Sequence, residues 1–368
     1  MSKQRVNNFL SNLALIVATG LLLTLLWQLK SLLVILMIAV VLASTLAPTI
    51  NAAEKLRIPR WLGVVFVYLG LLATLIGLGI LIGPTVAEQI QRLVRRLPGY
   101  LEVLEVLLDN WAMRLGITEP LVSQLFDTQT ITNWVIRSSQ ELLVRSYGVT
   151  RGILGVVIAL ILVVFFSGYM LSGSRKLIKG LVSLFPQPWD ERLAAQVEPM
   201  SKRMGAYIQG RVAVSGILAI AITFGLGFLG LSEFALGLGV IAGVTNLIPF
   251  IGPVLGAIPA LIVAIAKGGW TFWWVFLLFV IIQNIETYIL DPLLVGPQVK
   301  VHPFYQLLAV IGGTQVLGII GALIVPPWVA GTAVLLENLY LKPKILAEQQ
   351  TIAINSPTNQ EKTPSYHQ

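Results

Sequence analysis

Cysteine does not occur among the 368 residues. Disulfides, thiolate nucleophiles and thiolate metal ligands are therefore excluded, and the redox compartment is left open. Histidine occurs only at His302 and His367, which argues against a histidine-rich metal centre. Charge is scarce too: 11% of residues are Asp, Glu, Lys or Arg, against roughly 25% in soluble domains. HExxH, Walker A and GxSxG signatures are missing, and there is no dinucleotide-binding fingerprint in a strand–turn–helix setting. No catalytic residue, metal site or cofactor is assigned, and the chain is not read as an enzyme. What fills the chain is apolar surface, 56% of residues, with a mean hydropathy of +0.84. The fold class that follows is an all-α polytopic membrane protein. The net charge of +8 is then read as basic loops facing the cytoplasm, and nucleic acid is not expected as a partner.

Spans need about 20 apolar residues. By that measure eight are expected: about 9–27, 32–47, 61–82, 153–171, 206–231, 234–266, 270–290 and 304–336. Lys30 is placed in a tight turn between the first two, Pro48 ends the second, and Gly83-Pro84 ends the third. The first apolar run lacks a small-residue cleavage site and reads as a retained span. The domain reading is 1–83 for spans one to three, 84–150 for an amphipathic helical soluble insertion, and 151–171 for span four. It continues with 172–206 as a basic cytoplasmic loop, 207–345 for spans five to eight, and 346–368 as a disordered polar tail. In the insertion, Ile90, Leu93, Val94 and Leu97 recur at helical spacing, as do Leu101, Leu104, Leu108 and Trp111, then Ile131, Trp134, Val135 and Leu142. Pro98-Gly99 and Glu119-Pro120 are expected to separate these helices. The insertion packs on itself or on the lipid surface, or else forms an arm to neighbouring subunits.

Lys3, Arg5, Lys55, Arg57, Arg60, the basic 172–206 segment, Lys267, Lys342 and Lys344 fall on one side of eight spans. This places both termini in the cytoplasm of a multi-pass protein of the plasma (inner) membrane.

The stretch from Asn246 to Pro259, NLIPFIGPVLGAIP, carries Pro249, Pro253, Pro259, Gly252 and Gly256 inside an apolar run. No regular helix runs through it unbroken. In hydrocarbon, freed backbone groups are tolerated only where they pack on protein or line a cavity, so the sixth span is read as broken beside a transport pathway. Span seven carries Gln283, Asn284 and Glu286, then Asp291-Pro292. Gln283 and Glu286 are three apart and share a helix face, and with Asn246 they form a candidate polar lining or a proton or cation site. The alternative is that Glu286 sits near the surface and bonds a neighbouring helix. Glu233 is read as a loop residue and Glu337 as a surface partner of Lys342. The last span, about 33 residues with Gly312-Gly313 and Pro326-Pro327 inside it, is bent, re-entrant or two segments. Glycines in spans five and six are read as close helix packing.

These blocks resemble the autoinducer-2 exporter family of bacterial permeases over roughly residues 5–345. The resemblance rests on Tyr207-Ile208-Gln209-Gly210, Asn246 through Pro253 with Gly256 and Pro259, and Gln283, Ile285-Glu286, Tyr288 and Pro292. It continues with His302-Pro303, Gly312-Gly313, Gly318, Gly321 and Pro326. The resemblance implies eight spans with a soluble insertion after the third, export of a small furanone-type signal or sodium or lithium exchange against protons, and homo-oligomers. The expected partners are the lipid bilayer, a small-molecule cargo and a coupling Na+ or H+. The candidate substrate pathway is Asn246, Pro249, Gly252, Pro253, Gly256, Pro259, Gln283, Glu286, Asp291, Pro292, Gly312 and Gly313. Three functions fit this reading: gradient-driven or facilitative export of a small polar molecule, sodium/proton antiport through Glu286, and a non-transporting membrane scaffold. Without a Walker A loop, transport by ATP hydrolysis within the chain is excluded.

Overall fold

In the computed structural model, residues 27–114, 150–296 and 301–355 are described, with scattered positions between 12 and 25. No strand occurs among them. The helices are α1 (Lys30–Lys55), α2 (Arg60–Arg114), α3 (Thr150–Val182), α4 (Trp189–Phe228), α5 (Ala235–Thr245), α6 (Ile251–Lys267), α7 (Thr271–Ile285), α8 (Pro303–Leu336) and α9 (Lys342–Asn355). A π-helical segment, Glu286–Val295, prolongs α7, and another, Glu337–Leu341, joins α8 to α9. Six helices are long and apolar enough to cross a membrane: Lys30–Lys55, Arg60–Leu107, Gly155–Val182, Trp189–Phe228, Thr271–Val295 and Pro303–Gln349.

Several sequence boundaries move. In place of a tight turn at Lys30, helical hydrogen bonds pass through the preceding residue, from Leu29 N–H to Leu25 and from Leu33 N–H to Leu29. Pro48 does not end α1, and Pro84 and Pro98 lie inside the 55-residue α2. At 1.5 Å per residue α2 is about 80 Å long, so its far half extends the third span instead of starting a separate domain. Each proline removes one i→i−4 bond, and the helix continues through both. Leu93 and Leu101 on α2 are buried, and Leu93 joins the main core with Leu238 and Ala264 of α5 and α6. The insertion thus begins by packing on the transmembrane core, and the helix expected over residues 131–142 lies outside the described residues. The expected basic loop is mostly helical: α3 runs to Val182 with a kink at Gly173, and α4 begins at Trp189. The polar tail is helical as far as Asn355.

The largest change is at span six. The break is where it was expected, between α5 and α6, but the chain reverses there and does not cross. α5 has 11 residues and α6 has 17, about 16 and 25 Å, each short of the roughly 30 Å hydrocarbon core. The arms lie against each other: a Cβ on Gly256 would sit 2.7 Å from Ala242 Cα, and one on Gly252 would sit 2.0 Å from Thr245 O. Residues 235–267 therefore form a re-entrant hairpin, whose base is tied together by Lys267 Nζ donating to Gly230 O.

The 34-residue α8 is also folded back. Gly318 adopts φ 64° and ψ −148°, open to glycine but rarely to other residues. Gly313 and Gly321 then meet, each so close that a Cβ would strike the other's carbonyl. Its base lies at the opposite end of α4 from that of the first hairpin. Arg203 of α4 binds Glu337 through two 2.9 Å hydrogen bonds, and Gly331 packs on Met204. α4 is the spine on which both hairpins, α1 and the π segment pack.

Candidate functional site

The site begins with α4. Tyr207, Arg211 and Ser215 recur every four residues and therefore share one face. Arg211 lies about 12 Å along the helix from Arg203 and about 25 Å from Phe228, well inside the apolar length. It is 4% exposed. A lone buried charge is expensive in such a place and persists only when paired. The partners come from the π segment: Arg211 Nη1 lies 3.0 Å from Glu286 Oε1 and 3.2 Å from Asp291 Oδ1. The close approach that allows this is made at Gly210, where a Cβ would fall 2.5 Å from Leu294 O.

The first hairpin supplies the fourth member. Asn246, the C-cap of α5, is 2% exposed and donates from Nδ2 to Glu286 Oε1 at 3.1 Å. The reversal just beyond it is built by a buried Pro249 and by Phe250 at φ 65° and ψ −48°, a conformation uncommon for a bulky side chain.

The break was expected to offer unpaired backbone groups, but these are largely recaptured. Asn246 N–H bonds Ala242 O, Leu247 bonds Val244, Ile248 bonds Thr245, Ile251 bonds Pro249 and Gly252 bonds Ile248. Short turns at the tip satisfy the donors locally, as helix ends do generally. The unsatisfied polarity resides in side chains instead: Tyr207 Oη, Arg211 Nε, Ser215 Oγ and Asn246 Oδ1 are buried without a partner. Natural structures rarely leave such atoms dry, and four around one ion-pair cluster mark a place suited to water or a small polar solute. The cluster is closed at Arg211, Glu286 and Asn246, while Asp291, its side chain 40% exposed, forms the rim.

Of the sequence-proposed residues, Asn246, Glu286 and Asp291 come together. Gly252 and Gly256 hold the hairpin arms in contact. Pro253 and Pro259 are half-buried on α6, and Pro292 is exposed on the π segment. Gln283 does not join the cluster. It donates to Thr287 Oγ1 at 3.3 Å on another face, and Asn284 turns back to Val280 O. Gly313 shapes the second hairpin, whereas Gly312 is exposed with open space around it. Glu286 is not a surface residue. Glu233 does lie in the loop before α5, where it pairs with Arg96 at 2.9 Å. Glu337 pairs with Arg203, while Lys342 donates to Asn338. Among the described residues no three His, Asp or Glu side chains gather as metal ligands would.

Sequence reasoning missed Arg211. The signal was available, because a basic residue four positions after Tyr207 inside an apolar span must have an acidic partner.

A helical membrane bundle with a re-entrant broken helix and a buried ion-pair cluster at its tip defines a class of membrane transport proteins. The family model described as AI-2E family transporter matches residues 14–341, and the chain belongs to that family. It is 26% identical over 295 residues to "Putative transport protein YueF" of Bacillus subtilis, which covers 79% of both chains. It is 35% identical over 167 residues to "Putative transport protein YrrI" of the same organism, covering 45% of this chain and 46% of that one. It is also 27% identical over 311 residues to "Putative transport protein sll0063" of Synechocystis sp., covering 81% and 75%.

Proposed function

We propose that this transport protein exports a small polar molecule by a gradient-driven or facilitative route, through the space between the α5–α6 hairpin, α4 and the π segment. The observation that carries this reading is the set of four unpartnered polar side-chain atoms around Arg211, Glu286 and Asn246. Asp291 is the rim at which a solute first meets the cluster. The strained Phe250 tip and the glycine-lined contact between the arms let the hairpin part from α4 to open the route. Membership of the AI-2E family makes an autoinducer-2-like signal the first cargo to test.

A second reading, sodium/proton antiport through Glu286, is favoured by one observation: Glu286 and Asp291 share a single guanidinium group, so one carboxylate is free to exchange a proton or cation. A non-transporting scaffold would have no reason to keep these buried polar atoms. Partners in this reading are the lipid bilayer, the cargo, a coupling Na+ or H+ and further copies of the chain. The chain sits in the plasma membrane with the basic ends of α1 and α3 and the Lys342–Lys344 segment facing the cytoplasm.

The test is flux into proteoliposomes. Glu286→Gln and Pro249→Ala are expected to lower cargo flux by tenfold or more. Unchanged flux in both variants for every cargo that moves refutes the site. Sodium-dependent proton movement that vanishes in Glu286→Gln selects antiport.

A further inference from the structure

We infer that this site is charge-selective, admitting small neutral or cationic polar solutes and rejecting anions, with Arg211 as the residue that sets the balance. The inference rests on the route proposed above and adds the class of solute it takes.

An arginine buried in a transport protein would ordinarily suggest a receptor for an anionic group, because the guanidinium fork matches carboxylate and phosphate. Here it does not. Its Nη1 is committed to both Glu286 and Asp291, so an anion that reached the unpartnered Nε would meet the field of two carboxylates. One cation faces two carboxylates, so the triad carries −1, and protonation of either carboxylate brings it only to zero. Among the described residues no other charged side chain is shown reaching the triad, since Arg203 is spoken for by Glu337 and Lys267 lies at the far end of α4 on Gly230. The helix ends at the hairpin tip do not alter this. The C-terminal end of α5 and the N-terminal start of α6 adjoin there, and their partial charges oppose each other. Apart from Arg211 Nε, the unpartnered atoms, Tyr207 Oη, Ser215 Oγ and Asn246 Oδ1, are uncharged and suit hydroxyl, amide or ammonium groups.

The absence of cysteine makes the test direct. Ser215→Cys places a single thiol one helical turn from Arg211, and the full chain is reconstituted in liposomes. Two methanethiosulfonate reagents of similar size are compared, one bearing a trimethylammonium and one a sulfonate. Each rate is divided by that reagent's rate with a free thiol in water. The expected cation-to-anion ratio is about ten or more. Adding Glu286→Gln and Asp291→Asn leaves Arg211 as the sole charge, and the ratio should fall below one. Adding Arg211→Gln instead should raise it. A thiol that reacts readily with a ratio near or below one in the Ser215→Cys protein overturns the selectivity and leaves the route standing. A thiol that reacts with neither reagent overturns the route, and the selectivity falls with it. If the doubly neutralised protein does not fold, the Ser215→Cys ratio and its change in Arg211→Gln still decide.

Discussion

At the scale of single residues, the cost of burying charge organises the centre of the molecule. Arg211, Glu286 and Asn246 are together nearly inaccessible, and each is tolerable because the others are there. Arg211→Ala leaves Glu286 buried without its cation, and thermal unfolding in detergent should show a loss of about 3–5 kcal/mol. Replacing Arg211 and Glu286 together by methionine should cost far less than the sum of the two single changes, because the unpaired charge is what is expensive. If Arg211→Ala is as stable as the native chain, the pair is not buried as described. Phe250 offers the opposite sign. Its φ of 65° with ψ −48° is a sparsely populated conformation that costs a non-glycine residue about 1–3 kcal/mol, so Phe250→Gly should raise the unfolding midpoint slightly, offset in part by the packing that the ring provides.

At the scale of elements, glycine decides where helices turn back. A side chain at Gly256 would enter the backbone of the facing arm at Ala242, and no rotamer change avoids a backbone atom. Gly256→Leu should force the arms of the first hairpin apart, costing at least about 2 kcal/mol of stability and abolishing flux in proteoliposomes. Gly312→Ala, by contrast, meets open space and should leave both unchanged. The α2 helix acts on the same hairpin from outside. Gln89 Oε1 accepts from Gly237 N–H at 2.7 Å, and Arg96 pairs with Glu233 at the hairpin's base. The half of α2 beyond Pro84 is therefore a brace for the hairpin.

At the scale of the whole molecule, the two hairpins change which residues share a side of the membrane. Under eight crossings Lys267 joins the basic cytoplasmic set. With the first hairpin re-entrant, Lys267 lies beside Gly230, about 40 Å along the α4 direction from Arg203. A single cysteine placed at Lys267 should be labelled by a membrane-impermeant thiol reagent from one face. A single cysteine placed at Arg175 should be labelled only from the other. Labelling of both from the same face would restore the crossing helix and refute the hairpin. The second hairpin enters from the basic end, so the pair penetrates the bundle from opposite sides.

Much of this was already legible in the residues. Apolar composition and the scarcity of charge required a helical membrane bundle, because only helices or closed barrels satisfy the backbone in lipid. Clustered proline and glycine located the break at Asn246–Phe250, and Glu286 stood out as a carboxylate in an apolar run. Three things were decided only by tertiary structure. Pro84 and Pro98 lie inside α2, although clustered Pro and Gly there read as helix ends, because a proline removes only one intrahelical bond and a long helix can run on past it. Gln283 and Glu286 have different partners because Arg211 and Asn246 meet the helix at Glu286 and not at Gln283, which a count along one helix does not show. Above all, the direction taken after a break is not written in the broken segment. A straight crossing and a hairpin leave the same backbone groups unpaired, and the glycine contacts between arms, with the ion pair waiting on α4, select the hairpin.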